Sequence, residues 1–326
     1  MPRPTRDELK ANTAHLTDRY VNFWNRIAKK AVAVRTDVML VTYAYSAYRY
    51  PPRRERLEYP DNMLLGFVFG ASDDWKGMLE SWRAVGMRHF FNRPNHLHYM
   101  GTIPLGLARY FYDEFQGMRK YGMMGCDYDA TDNRRQLGLE FYTIARLCAN
   151  PDESFERIFD DFCSAYGAAK DEVRAYYEAV ERDGEAARAK AQLKKERKVE
   201  DFDEEQPRKV PLLQAYGRNE KELVEKRDLA VGIYARHKMA GDLSDDQLKS
   251  LRMLALDAEH AVLVYRFIDA LEGSPLDELK ARADMLQAFR LDHYRELPDD
   301  YAGIYRRWWG EIQFWKHYNR RRAEGR

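Results

Sequence analysis

The residues best able to do chemistry fall in four short polar segments, each just after an apolar run. The first runs from Thr42 to Pro52 and holds Tyr43, Tyr45, Tyr48 and Tyr50 within eight residues. Such rings can stack on a sugar face while their hydroxyls bond to its hydroxyls. They can equally pack beneath a helical tail. The second segment carries Asp73 and Asp74 after Ser72. Paired carboxylates suit acid–base work. Acidic residues in a first helical turn also complement its dipole, which explains both without chemistry.

The third segment is Asn92-Arg93-Pro94-Asn95-His96-Leu97-His98-Tyr99. Two histidines two apart could share a metal only on extended backbone and with further ligands. No Glu or Cys at familiar metal spacing accompanies them, so no metal and no other cofactor is expected. Asn92, Arg93 and His96 are instead expected to make polar substrate contacts. The fourth segment runs from Gly125 to Asp132. On an extended chain Asp127 and Asp129 point the same way. They are the candidate catalytic carboxylates, able to bond substrate hydroxyls or to act as acid and base. The competing reading is a turn and a helix cap, which Asp132 or Asn133 could supply. Tyr43, Tyr45, Asn92, Arg93, His96 and Tyr128 make up the candidate substrate-binding set.

The elements that must position these segments alternate. Tyr20, Phe23, Trp24, Ile27, Ala28 and Ala31 form one apolar stripe on a helix, with Thr17 as its N-cap. Residues 38–45, 63–69, 87–92 and 123–128 read as strands. Helices lie between them: one capped by Ser72 with Trp75, Met78, Leu79 and Trp82 inward, one starting near Thr102 and Pro104, and one through Leu137, Phe141, Ile144 and Cys148. Gly86 and Gly122 stop the first two of these. About four strand–helix units in series predict an α/β fold with a parallel sheet or barrel wall. In a barrel of such units the loops after the strands carry the active site, which is where all four segments fall.

After Pro151 the pattern turns helical, with Phe155, Ile158, Phe159, Phe162 and Tyr166 on one face. Residues 181–209 are dense in charge and read as an exposed helix end and a linker. Further helices are expected over 219–239, 244–271, 275–296 and 299–322. The organisation is therefore a partial (β/α) barrel over 1–150 and a helical C-terminal region over 151–326.

The bulk numbers exclude some functions. Basic and acidic residues number 54 and 53, so no global field attracts nucleic acid or an anionic membrane. No run approaches the ~18 apolar residues of a membrane span. The first residues, Met-Pro-Arg-Pro-Thr-Arg, have no apolar core and do not form a signal peptide. Three scattered cysteines make neither a disulfide framework nor a zinc motif, and Cys148 and Cys163 are expected to be buried. Phosphate loops, nucleophile elbows and C-x-x-C pairs are missing from the sequence.

Several segments together carry a family resemblance. They are Tyr20-Val21-Asn22-Phe23, Val41-Thr42-Tyr43-Ala44-Tyr45 with Pro51-Pro52, and Tyr121-Gly122-Met123-Met124-Gly125. Ala145-Arg146-Leu147 with Asn150-Pro151-Asp152, running on to Phe162 and Tyr166-Gly167-Ala168-Ala169, completes the set. It resembles a bacterial family long labelled a domain of unknown function, allied to the α-glucuronidase and β-hexosaminidase barrels. Some relatives belong to glycoside hydrolase family 163 and have endo-β-N-acetylglucosaminidase activity. The resemblance covers residues 15–180.

It implies an exported protein acting on or binding glycans, including those with N-acetylglucosamine. It also implies that the four strands are the later half of a (β/α)8 barrel. The general acid of the related hexosaminidases, which follows their fourth strand, would then lie upstream of Met1. The chain is thus expected to be a truncated or split glycoside-hydrolase-like protein, with a non-catalytic carbohydrate-binding or scaffolding module as the alternative. Its expected partners are a glycan and either a second copy or an upstream half-barrel chain. An open half barrel predicts bare sheet edges, with Tyr43, Phe67, Phe69 and Phe90 facing solvent.

Overall fold

A computed structural model describes residues 6–69, 74–94, 103–104, 106–128, 138–197, 219–271, 273–293, 296 and 309–325. It is a mixed α/β structure, and its contacts divide it into two units: Met1–Leu97 with Glu114–Asp129, and His98–Asp113 with Ala130–Arg326.

The first unit is built on a parallel sheet. Helix α1 (Arg6–Val34) leads into β1 (Leu40–Ala44) and β2 (Met63–Phe67). Helix α2 (Trp75–Ala84), β3 (His89–Asn92), helix α3 (Ala108–Lys120) and β4 (Met123–Cys126) follow. The strand order is β1-β2-β3-β4, all neighbours parallel. The register aligns Tyr43 with Gly66 and Gly66 with Phe91; the next row is Ala44, Phe67 and Asn92. Side chains alternate along each strand, so these two rows face opposite sides.

One side carries the core. Ala44, Met63, Leu65, Phe67, Phe69 and Phe90 pack with Val21, Trp24 and Ala28 of α1 and with Leu79 and Trp82 of α2. This corrects the expected exposure of Phe67, Phe69 and Phe90, which are at most 3% exposed. They lie on the pleat that the helices cover. The other side is where apolar surface meets solvent: Val41 is 53% exposed and Met124 59%.

Helix α1 differs from expectation in two ways. It begins at Arg6, so Thr17 is an interior, buried residue and no cap. The stretch before it holds helix formers without Gly or Pro, and the helix has no reason to stop there. Its inner face is Thr17, Val21, Trp24 and Ala28, while Phe23 and Ile27 turn outward. Asn25, also buried, explains the rotation. Its amide donates to Arg56 O at 2.7 Å and its Oδ1 accepts from Glu58 N at 3.0 Å, tying the helix to the loop before β2.

Asp74 is the N-cap of α2, its Oδ1 accepting from Gly77 N at 3.0 Å. Ser72, expected as that cap, lies outside the described residues, as do Asp73, Thr102, Asp132 and Asn133. Asp74 thus has a helix role, but as the cap and not, as expected, within the first turn. Gly86 and Gly122 end their helices at φ +108° and +78°, conformations that favour glycine.

After residue 137 the described part of the second unit is made of helices joined by short turns. It contains α4 (Gly138–Ala149), α5 (Phe155–Ser164), α6 (Lys170–Arg197), α7 (Glu220–Ala240), α8 (Asp245–Ala270), α9 (Leu276–Asp292) and α10 (Trp309–Glu324). Helix α6 runs to Arg197, through the described part of the charge-dense stretch, where Ala, Glu, Lys and Arg are good helix formers; residues 198–209 lie outside the described residues. Phe155, Phe159, Cys163, Val173, Tyr176, Tyr177, Ile233 and Leu254 share its main core. Cys163 is buried as expected, but Cys148 is exposed. It lies in the last turn of α4, one turn on from the buried Ile144.

Candidate functional site

Three of the chemically competent side chains meet at the C-terminal end of the sheet. Gly66 is the reason two rings can lie over the sheet there. A Cβ on it would stand 2.7 Å from Tyr43 Cδ1 and closer still to Phe91 Cζ. With none, Tyr43 and Phe91 pack edge to face across β2, their centroids 5.6 Å apart. Arg93, the residue after β3, has its main-chain N bonded to Phe67 O at 2.8 Å. Its guanidinium lies over the Tyr43 ring, 5.6 Å from the centroid. Its Nε stands 3.6 Å from Asp127 Oδ2. Asp127 is held by its own N–H, which donates to Asn92 O at 2.8 Å, and its side chain is 59% exposed.

The result is a ring, a cation and a carboxylate on one surface. Such a set can stack against a sugar face and both donate to and accept from its hydroxyls. Asn92 plays a different part. Its side chain faces the covered side, is 1% exposed, and donates from Nδ2 to Glu114 Oε2 at 3.2 Å. It steadies the strand end while its carbonyl positions Asp127. Tyr45 is 43% exposed beside a 3-10 turn, and Tyr128 is half-buried. His96 and Asp129 lie outside the described residues.

The remaining loop tyrosines divide as the competing reading allows. Tyr48 stacks on Tyr20 of α1 with centroids 4.1 Å apart, and Trp82 Nε1 donates to Arg49 O at 2.8 Å. This half of the loop packs on α1 and α2, whereas the competing reading places it under the helical tail; Tyr43 and Tyr45 stay 36% and 43% exposed.

Two carboxyl groups in the second unit escaped the sequence reading, Glu140 buried and Glu181 half-buried. Glu181 accepts from the N–H groups of Ala108 and Arg109, both at 3.1 Å, and Glu140 from Leu107 N–H at 3.2 Å. Together they take the first amides of α3, which its own helix leaves unpaired. Arg188 donates to Gly106 O at 2.5 Å beside them. Burial, and then the neighbouring Glu181, pushes the Glu140 carboxyl up to about 8; burial raises Glu181 as well. The signal was present in the sequence: Glu140 sits between Leu139 and Phe141, and Glu114 lies on the Phe111–Phe115–Met118 face of α3. Acidic residues on an apolar stripe are expected to have buried partners.

Residues 4–178 match the family model described as Domain of unknown function (DUF4838). That is more than half of the 326 residues, and the chain belongs to this family. No curated protein and no solved structure matches it.

Proposed function

We propose that this DUF4838 protein is a glycoside-hydrolase-like module that binds glycans at the C-terminal end of its sheet. Tyr43 serves as the stacking platform, with Arg93 and Asp127 bonding the sugar hydroxyls. The observation that carries the reading is the Tyr43–Arg93–Asp127 cluster itself. It sits where strand-following loops hold ligands in α/β sheets. Hydrolysis is not part of the proposal. Cleavage by this class uses two carboxyl groups on opposite sides of the bond. Asp127 is exposed here, whereas Glu114 is buried against Asn92.

The strand order supports reading the sheet as part of a (β/α) barrel wall. Four parallel strands in sequence order, with no reversal, are how barrel strands follow one another. Open doubly wound sheets reverse at a switch point instead. A second copy pairing through the face that bears Val41 and Met124 is the second part of the proposal. It is favoured by the exposure of both residues opposite the helix-covered core.

Calorimetric titration of N-acetylglucosamine oligosaccharides into the intact chain tests the main reading. Saturable binding that falls at least fivefold in both Arg93→Ala and Asp127→Asn supports it. Binding indifferent to both changes removes it.

A further inference from the structure

The outer face of α1, turned away from the core of the first unit, carries two parallel ridges. At about 100° per residue, Arg19, Arg26 and Lys30 fall within about 40° of one another and form a basic line along the helix. Phe23, Ile27 and Val34 form an apolar line about 60° further round. Both lines face solvent. Phe23 is 57% exposed, Ile27 36% and Val34 90%, and Arg19, Arg26, Lys30 and the flanking Lys29 are exposed too. No acidic residue occurs between 19 and 34. Among the described residues, none of these four cations has an ion pair or a side-chain hydrogen bond. The acids beside this stretch are engaged with other groups. Asp18 accepts from the main-chain N–H groups of Arg54 and Glu55 at 2.9 and 3.1 Å, Glu55 accepts from Asn22 Nδ2 at 3.4 Å, and Asp37 pairs with Arg35.

We propose that this face docks on an anionic phospholipid surface, with α1 lying along it. Phe23, Ile27 and Val34 enter the boundary of the acyl chains, while Arg19, Arg26, Lys29 and Lys30 reach the headgroup phosphates. Charge and shape together select this occupant. A helix with one basic and one apolar line is the form that lies in a membrane interface, and its long cationic chains can snorkel from the apolar side to the phosphates. A soluble polyanion would satisfy the basic line and leave the apolar one in water. A protein partner would have to supply the groove, because a single helix face is convex. The whole chain is nearly neutral, so the attraction is local and acts within a Debye length of the surface. No helix among the described residues is long and apolar enough to cross a membrane, and the contact proposed is peripheral.

The test is co-sedimentation of the full chain with vesicles of phosphatidylcholine and phosphatidylglycerol in equal parts, against vesicles of phosphatidylcholine alone. Binding to the anionic vesicles is expected to be at least tenfold stronger and to weaken as salt is raised. Two double variants separate the ridges. Arg26→Glu with Lys30→Glu should weaken binding at least tenfold, and so should Phe23→Ser with Ile27→Ser, which leaves the charge unchanged. All four residues are exposed, and circular dichroism checks the folding of each variant. Lys249→Glu with Arg322→Glu, exposed on the second unit, matches the change in net charge and should leave binding within twofold. No binding by the wild-type chain, equal binding to both kinds of vesicle, binding unchanged in either α1 variant, or an equal loss in the charge-matched control would overturn the proposal. Capture of soluble heparin that survives Phe23→Ser with Ile27→Ser, without vesicle binding, would assign the face to a polyanion and overturn it too.

Discussion

The Arg93 guanidinium lies over the Tyr43 ring, 5.6 Å from its centroid, although fifty residues of chain and two strands separate them. The contact fixes a cation over the ring and leaves Asp127 beside that cation, 3.6 Å from Arg93 Nε. It makes the end of the sheet a preformed surface, so binding there needs little reordering of side chains.

Gly66 should be the most sensitive backbone position of this surface. Alanine there would displace the Tyr43 and Phe91 rings. Overpacking of this kind costs about 1–3 kcal/mol. Gly66→Ala is therefore expected to lower the melting temperature by several degrees and to weaken any glycan binding more than Phe23→Ala, a change on the outer side of α1. Differential scanning calorimetry and the same sugar titration measure both.

Glu140 should make stability depend on pH. Its folded value is raised from 4.5 to about 8 by burial and by Glu181. A raised carboxyl stabilises the fold while protonated. That contribution is complete below pH 4.5 and is lost as pH rises towards 8. Within the window the loss is at most about 1.4 kcal/mol per pH unit for one proton. Glu140→Gln mimics the protonated form. Urea melts between pH 5 and 8 should show a flatter profile for the variant, and an unchanged slope would contradict the assignment.

His237 should add a second loss on the alkaline side. Its Nδ1 lies 2.9 Å from Asp242 Oδ1 and its Nε2 2.7 Å from Glu172 Oε2, and these two carboxylates raise its pKa above 6.5, Asp242 first. A raised histidine stabilises the fold fully below 6.5 and ceases to do so as pH passes its folded value. Both carboxylates are partly exposed, so solvent screening holds the effect to about 1 kcal/mol or less. His237→Gln should remove the portion of the slope that survives in Glu140→Gln. Double-variant melts at pH 6 and 9 separate the two.

The exposed sheet face should drive association. A lysine on that apolar face would have to bury its charge against a second copy and so opposes association. Size-exclusion chromatography with light scattering is expected to find a dimer for the wild-type chain and a monomer for Val41→Lys. A wild-type monomer at micromolar concentration would mean that this face needs no partner.

Much of this was legible in the sequence. The strands lie within the expected runs because buried parallel strands read as unbroken apolar stretches such as Met63–Phe67. Tyr43 and Arg93 were legible as site candidates because each falls at or just after a strand's end. What periodicity could not give was which pleat faces the helices. Phe90 and Phe91 are adjacent, alike in type and on opposite sides. Nor could it give partners remote in the chain. Asn92 looks like a substrate contact until Glu114 is seen across the covered face, and Glu181 looks like solvent-facing charge until the start of α3 docks on it. Those pairings depend on tertiary contacts 22 and 73 residues apart.

The central claim rests on Tyr43 as a sugar platform. Its most direct test is calorimetric titration of an N-acetylglucosamine tetrasaccharide into wild type, Tyr43→Ala and Tyr43→Trp. Stacking of a flat ring is worth about 0.5–1.5 kcal/mol beyond the apolar area it buries, together roughly tenfold in affinity. The account predicts at least a tenfold loss in the alanine variant and retention or gain in the tryptophan variant. Equal affinity in all three, with Tyr43→Ala folded, would contradict it.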